Sequence, residues 1–84
     1  MIQIVQFDYA LLRGRIREIF QTEKKFAEAM RKSKVKMSVV AFSNKINGKT
    51  NFTQPEIIVM CELLNIPAED THIYFFKRKY ELNS

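Results

Sequence analysis

A chain of 84 residues with an apolar fraction of 46% has room for one hydrophobic core, so we expect a single folded domain over residues 1–84 and not a disordered chain. Its single cysteine excludes an internal disulfide, and Cys61 with His72 provides too few soft ligands for zinc, so no metal or cofactor is expected. No stretch approaches the roughly 20 apolar residues of a membrane span, and the start lacks the basic segment of a signal peptide. These features predict a cytoplasmic protein with no membrane partner.

The net charge of +5 is unevenly distributed along the chain. Residues 21–36 contain six lysines and arginines against two glutamates, whereas residues 53–70 contain four acidic residues and no basic one. A basic segment of this kind is typical of a protein that binds a polyanion. A solvated, lysine-rich surface has the same composition, so charge alone leaves both interpretations open.

The first two predicted helices lie in the N-terminal half of the chain. The first should begin at Asp8, whose carboxylate suits the positive end of a helix. Its buried face is predicted from helical spacing to contain Leu12, Ile16, Ile19 and Phe20. The second should begin near Thr22, with an inward-facing stripe formed by Phe26, Ala27 and Met30.

The basic segment 31–37 permits three interpretations: an extension of the second helix, a loop, or an early start of the third helix from Ser33. We favour a loop or an extra turn, followed by a third helix capped by Ser38. Spacings of three and four residues predict that the apolar stripe of this helix is Val39, Phe42 and Ile46. Asn47 and Gly48 should end it, because both tolerate the left-handed conformation that closes a helix.

The fourth predicted helix has the clearest start signal in the chain. Thr53 and Glu56 form a capping box, with Pro55 in the first turn. Ile57, Cys61 and Leu64 should face the core, with Ile58 beside them. After Pro67 we expect a short helical turn to about His72.

Both ends of the chain have a strand-like pattern. Residues 74–82 alternate in a way closer to a strand than to a helix, and residues 2–5 are also rich in β-prone side chains. We therefore predict that the N- and C-terminal segments pair as short strands, either within one chain or across a dimer.

Several blocks of the sequence, in order and spacing, resemble small phage regulators of the repressor and Cro-like (XRE-type) helix-turn-helix group. The blocks are FDY (7–9), LRGRI (12–16), FAEAM (26–30), SNKINGKT (43–50), FTQPEI (52–57), ELLNIP (62–67) and YFF (74–76). The resemblance covers roughly residues 7–76. It implies a mainly α, lambda-repressor-like domain of four to five helices, with a core over about 7–66 and a C-terminal extension over 67–84 that serves as a strand and dimer contact.

The resemblance also implies which residues would contact DNA. The recognition helix would span 38–47 and lie in the major groove, and its base-contacting residues would be Ser38, Val39, Val40, Ser43, Asn44 and Asn47. Phosphate contacts would come from Lys32, Lys34, Lys36, Lys45 and Lys49. Asparagine can bond adenine and valine can contact the thymine methyl group, while the absence of arginine from this face argues against guanine, so we expect an A·T-leaning site.

The chain departs from this group after the second helix. The group has a glycine and an apolar residue there, whereas this chain has Arg31 and Lys32 followed by several extra residues. The expected function is a sequence-specific regulator of transcription, of phage or mobile-element origin, that binds double-stranded DNA as a homodimer. The altered turn and the arginine-free face favour one alternative, an antirepressor of the same fold that docks on another phage regulator, whereas the basic front half of the chain opposes it. A third interpretation is a nonspecific or RNA-binding basic domain. No nucleophile, base and orienting group occur together, so we do not expect an enzyme.

Overall fold

The computed structural model describes residues 7–78, and this part of the chain is mainly helical, as predicted. The α-helices are α1 (Ala10–Phe20), α2 (Glu23–Arg31), α3 (Val39–Ile46), α4 (Gln54–Leu64) and α5 (Thr71–Phe75), with a 3-10 turn at Ala68–Asp70 before α5. The arrangement is compatible with a small domain of the helix-turn-helix kind. Within residues 7–78, every helix is too short or too polar to cross a bilayer.

Side-chain caps fix the starts of three helices where the sequence predicts them. The hydroxyl oxygens of Thr22, Ser38 and Thr53 each accept a hydrogen bond from the backbone N–H three residues later. At α4 the Glu56 carboxylate also accepts from the Thr53 N–H at 2.8 Å, which completes the predicted capping box. At α1 the Asp8 carboxylate accepts from the Ala10 N–H at 2.9 Å, but Tyr9 rather than Asp8 occupies the N-cap.

The core lies between α1, α2, α3 and α4 and contains most of the predicted apolar stripes. Its buried residues include Leu12, Ile16, Phe26, Ala27, Met30, Phe42, Ile46, Ile57 and Leu64. A row of aromatic rings runs through it: Phe26 packs on Phe42 at 5.6 Å between centroids, Phe42 on Phe52 at 6.3 Å, and Phe52 on Phe75 at 5.9 Å. Tilted and edge-to-face pairs of this kind add to the stability gained from burial.

Three predicted core positions are wrong, because helical spacing alone does not decide whether an apolar residue at the edge of a stripe is buried. Ile19 of α1 and Val39 of α3 lie at the surface, and Ile58 of α4 is 59% exposed. The inward side of α4 instead includes Val59 and Met60, and Cys61 is only partly buried. Since α4 packs against α1, this contact sets its rotation.

The connection between α2 and α3 is a loop, as favoured from the sequence. It begins after Arg31, and the Ser33 hydroxyl donates to the Met30 carbonyl at 2.7 Å, which satisfies a carbonyl at the end of α2. Met37 is buried in the core just before α3 begins. Between these two anchors the backbone turns through Lys36, which has a positive φ of 49°.

The C-terminal part of the described chain differs from the predicted strand. Tyr74 and Phe75 belong to α5, and Phe75 is buried against Phe52, so the core continues beyond residue 66 into the predicted extension. Burial of this ring in the core outweighs the weak alternating pattern. Near both ends the chain forms one antiparallel bridge between Phe7 and Arg78. The remainder of the predicted strand pairing, at residues 2–5 and 79–82, lies outside the described residues.

Candidate nucleic-acid interface

One side of α3 is anchored in the core and the opposite side is exposed. Phe42 and Ile46 are buried, whereas Val40 is 71% exposed and lies at the surface of the helix. The other predicted base-contacting residues lie at the surface too: Ser38, Val39, Ser43 and Asn47 are exposed and Asn44 is half-buried. Residues 7–78 therefore leave the outer side of α3 uncovered.

The outer side of α3 borders a cleft of about 250 Å³ that α2 closes on the other side. Glu23, Lys24 and Ala27 contribute from α2, and Val39, Ser43 and Asn47 contribute from α3. The cleft thus combines one anion and one cation with apolar groups and hydrogen-bonding side chains on one surface. We call this surface, together with Val40 and Asn44, the α3 face.

Exposed lysines lie before and after α3 in the chain. Lys32, Lys34 and Lys36 belong to the connection that precedes the helix, and Lys49 follows it; all four side chains are exposed. Lys34 makes a loose contact with Glu62, with 3.8 Å between Nζ and the carboxylate oxygen. An exposed ion pair of this kind contributes little to the stability of the fold, and salt screens its attraction.

Lys45 differs from the other predicted phosphate ligands. Its Nζ atom donates to both carboxylate oxygens of Glu56 at 2.7 Å, and the two side chains are only 15% and 13% exposed. The pair joins α3 to the first turn of α4. Since a neighbouring carboxylate already neutralises its charge, we expect Lys45 to have a structural role rather than to bind phosphate.

The Lys45–Glu56 pair also affects the ionisation of the carboxyl group. Burial raises the pKa of Glu56, but hydrogen bonds from the Lys45 ammonium and from Thr53 lower it by more. The pKa of Glu56 therefore lies below its usual value of 4.5, and the group is ionised at neutral pH.

A cluster around Arg13 holds the end of α3, and no sequence pattern indicates it. One arm of the Arg13 guanidinium donates to both carboxylate oxygens of Glu23 at 2.8 Å. The other arm donates to the Ile46 carbonyl at 3.2 Å and to Asn47 Oδ1 at 2.9 Å. Arg13 thus ties α1 to the start of α2 and to the end of α3.

Arg15 has the same kind of role at another helix. Its guanidinium donates to the Leu64 carbonyl at 2.9 Å and to the Asn65 carbonyl at 3.1 Å, at the C-terminal end of α4. The sequence indicates only that both arginines lie off the buried stripe of α1. Their acceptors are distant in the chain, so no local pattern points to these contacts.

The fold and the α3 face define a small, mainly helical domain, compatible with the helix-turn-helix class, in which an exposed surface of α3 with both polar and apolar side chains lies beside exposed lysines. Residues 5–78 match the model of the DUF739 family, described as a protein of unknown function, and the chain belongs to this family. No curated protein matches the chain.

Proposed function

We propose that this protein is a cytoplasmic, sequence-specific regulator of transcription, of phage or mobile-element origin, that binds double-stranded DNA with α3 in the major groove. The observation that supports this function best is the uncovered α3 face on a helix whose other side is fixed in the core. The major groove is about 12 Å wide and admits an α-helix. A helix held by Phe42 and Ile46 would enter it without reorganisation.

The side chains of the α3 face suit the edges of bases. Asn44 can donate to and accept from adenine in the major groove, and Ser43 can bond either a base or a phosphate. Val40, with most of its side chain exposed, can contact the methyl group of thymine. The face carries no arginine, which is the usual partner of guanine, so the expected site is rich in A·T pairs.

The exposed lysines would supply affinity without sequence information. Lys32, Lys34 and Lys36 on one side of α3 and Lys49 on the other can contact phosphates of the two strands that border the groove. Each neutralised phosphate releases counterions, so binding should weaken steeply as the salt concentration rises.

The length of α3 supports a homodimer. Its 8 residues span about 12 Å, which is about four base pairs of DNA, too few to specify one site in a genome. Two copies on a two-fold operator would double the number of contacts, with recognition helices about 34 Å apart.

Selection from a library of duplexes with 20 randomised base pairs tests this function. Duplexes retained by the protein are sequenced over successive rounds, and affinity is then measured for the enriched duplex and for its scrambled version at several salt concentrations. We expect an enriched, A·T-leaning sequence that binds more tightly than the scrambled duplex. Equal, steeply salt-sensitive affinity for both would instead indicate a nonspecific binder.

One observation favours a second candidate, a protein-docking module such as an antirepressor that binds another phage regulator. Val39 and Val40 form an exposed apolar pair at the start of α3, and apolar groups of this kind are common at protein contacts. On this alternative the protein would retain no duplex, even at low salt. The same selection experiment therefore separates the two candidates.

A further inference from the structure

The Arg13 cluster reaches the α3 face through Asn47. Arg13 Nη2 lies 2.9 Å from Asn47 Oδ1, and Asn47 Nδ2 lies 3.4 Å from Ser43 Oγ. Both Ser43 and Asn47 are exposed, on the surface proposed to read DNA. A single residue of α1 is thus connected by hydrogen bonds to two residues of that surface.

We infer that Arg13 is a positioning residue that fixes the Asn47 amide so that Asn47 and Ser43 present hydrogen-bond donors to DNA. This inference rests on the proposed function. A guanidinium has five donors and no acceptor, so only the oxygen of the Asn47 amide can face it. The NH2 group must then point the other way, towards Ser43 and the outer side of the helix.

The orientation of Asn47 also determines what Ser43 offers. Because Ser43 Oγ accepts from Asn47 Nδ2, its own O–H is left to donate outward, and Nδ2 keeps a second N–H. Matching partners in the major groove are acceptors: N7 of a purine, O6 of guanine or O4 of thymine. A bidentate contact with adenine needs both the oxygen and the NH2 group of one amide. Because Arg13 occupies the oxygen of Asn47, we expect Asn44 to make this contact.

Glu23 makes the Arg13 side chain a rigid support. Its two carboxylate oxygens hold one arm of the guanidinium, which leaves the second arm directed at the end of α3. A single guanidinium nitrogen, Nη1, contacts both oxygens, and charge-assisted hydrogen bonds of this kind are stronger than neutral ones. Glu23 also accepts from the Arg17 guanidinium at 3.3 Å, so the three side chains together keep one positive charge. The contribution that we assign to Arg13 is the orientation of Asn47.

Arg15 provides a matched control for Arg13. The two side chains lie on the same helix, are both 29% exposed, and both donate to carbonyls at a helix C-terminus, α3 for Arg13 and α4 for Arg15. Both Arg13→Met and Arg15→Met remove hydrogen bonds to helix C-terminal carbonyls, but only the first releases Asn47. Arg13→Met also removes a closer ion pair, to Glu23 at 2.8 Å against 3.4 Å from Arg15 to Glu18, so the stability of both variants is measured alongside. Arg13→Lys is a second test variant that keeps the charge and loses the fork, should Arg13→Met fail to fold.

The first measurement is the ratio of affinities for the duplex enriched by the wild-type protein and for its scrambled version. We expect Arg13→Met to lower this ratio about tenfold, the effect of losing one oriented base contact, and Arg15→Met to leave it unchanged. The second measurement is made without DNA, on the 15N side-chain amide signals of the asparagines, with Asn47 identified by its absence in Asn47→Ala. We expect the Asn47 signal to move in Arg13→Met and not in Arg15→Met.

The outcomes separate this inference from the proposed function. If the wild-type protein enriches no sequence, the proposed function fails and the inference fails with it. If it enriches a sequence but Arg13→Met keeps the wild-type affinity ratio, the inference alone is overturned. An Asn47 amide signal that stays in place in both Arg13→Met and Arg13→Lys also overturns it, whatever the DNA measurements give.

Discussion

Replacing Lys45 with methionine tests whether the ion pair between α3 and α4 stabilises the fold. The methionine keeps the apolar part of the side chain and removes the ammonium group, which donates to both oxygens of Glu56 at 2.7 Å. Hydrogen bonds to charged groups contribute about 1.5–3 kcal/mol, and loss of one partner of a fully buried pair costs about 3–5 kcal/mol. Since the Lys45 and Glu56 side chains are still 15% and 13% exposed, we expect Lys45→Met to lower the free energy of unfolding by about 2 kcal/mol.

The assay is urea unfolding followed by circular dichroism, at one protein concentration for every variant because dimer formation would couple stability to concentration. A loss of this size should lower Tm by roughly 10 °C in a domain of this length. The control is Lys49→Met, which removes the same charge from an exposed position and should change stability by less than about 0.5 kcal/mol. A double-mutant cycle with Glu56→Gln, which keeps an oxygen to accept from the Thr53 N–H, should give a coupling of about 1–2 kcal/mol.

Equal losses in Lys45→Met and Lys49→Met would refute this reasoning, because the pair would then behave like an exposed ion pair of negligible net energy. The DNA measurements provide an independent comparison. Lys49→Met should reduce the slope of log affinity against log salt by about 0.9, as expected for one lost phosphate contact, whereas Lys45→Met should leave the slope unchanged.

Three further predictions concern pH, salt and sequence readout. The pKa of Glu56 in the folded protein is below its usual value of 4.5, so the stabilisation that ionised Glu56 provides should be complete above pH 4.5 and be lost as the pH falls through the folded pKa. When the pH is lowered from 7 to 3, the urea midpoint should therefore fall less in Glu56→Gln than in the wild-type protein. Changing both Lys32 and Lys36 to alanine should weaken binding to enriched and scrambled duplexes equally and reduce the salt slope by about 2; a larger loss on the enriched duplex would contradict a pure phosphate role. Asn44→Ala should weaken binding to the enriched duplex by 1–3 kcal/mol, roughly, and leave the scrambled duplex unaffected, while equal losses would show that Asn44 does not read bases.

The elements that could be predicted from the sequence are those fixed by neighbouring residues. Ser38 and Thr53 cap their helices through N–H groups three residues away, so a short pattern contains all the information that the cap requires. The buried pair Phe42 and Ile46 follows from helical spacing, although the same spacing also placed Val39 inside and its side chain lies at the surface. In α4, where apolar residues occur on every side, the same spacing placed Ile58 inside, although its side chain is exposed.

The parts of the candidate site that could not be predicted depend on distant contacts. Arg13 reaches a residue 34 positions later in the chain, and Arg15 reaches one 50 positions later. The phosphate contact predicted for Lys45 follows from its position next to the expected reading residues of α3. Only the packing of α4 against the end of α3 brings Glu56 to its ammonium group, and no local pattern indicates this partner.

The long connection before α3 gives a reason why the α3 face can keep a defined orientation without a tight turn. Ser33 closes the end of α2, and Met37 is buried just before α3, so both ends of the connection are fixed. The Phe26 and Phe42 rings, 5.6 Å apart, hold the two helices against each other in the core. Packing of these side chains therefore sets the angle between α2 and α3. The connection between the two anchors does not have to form a tight turn, so it can carry exposed lysines.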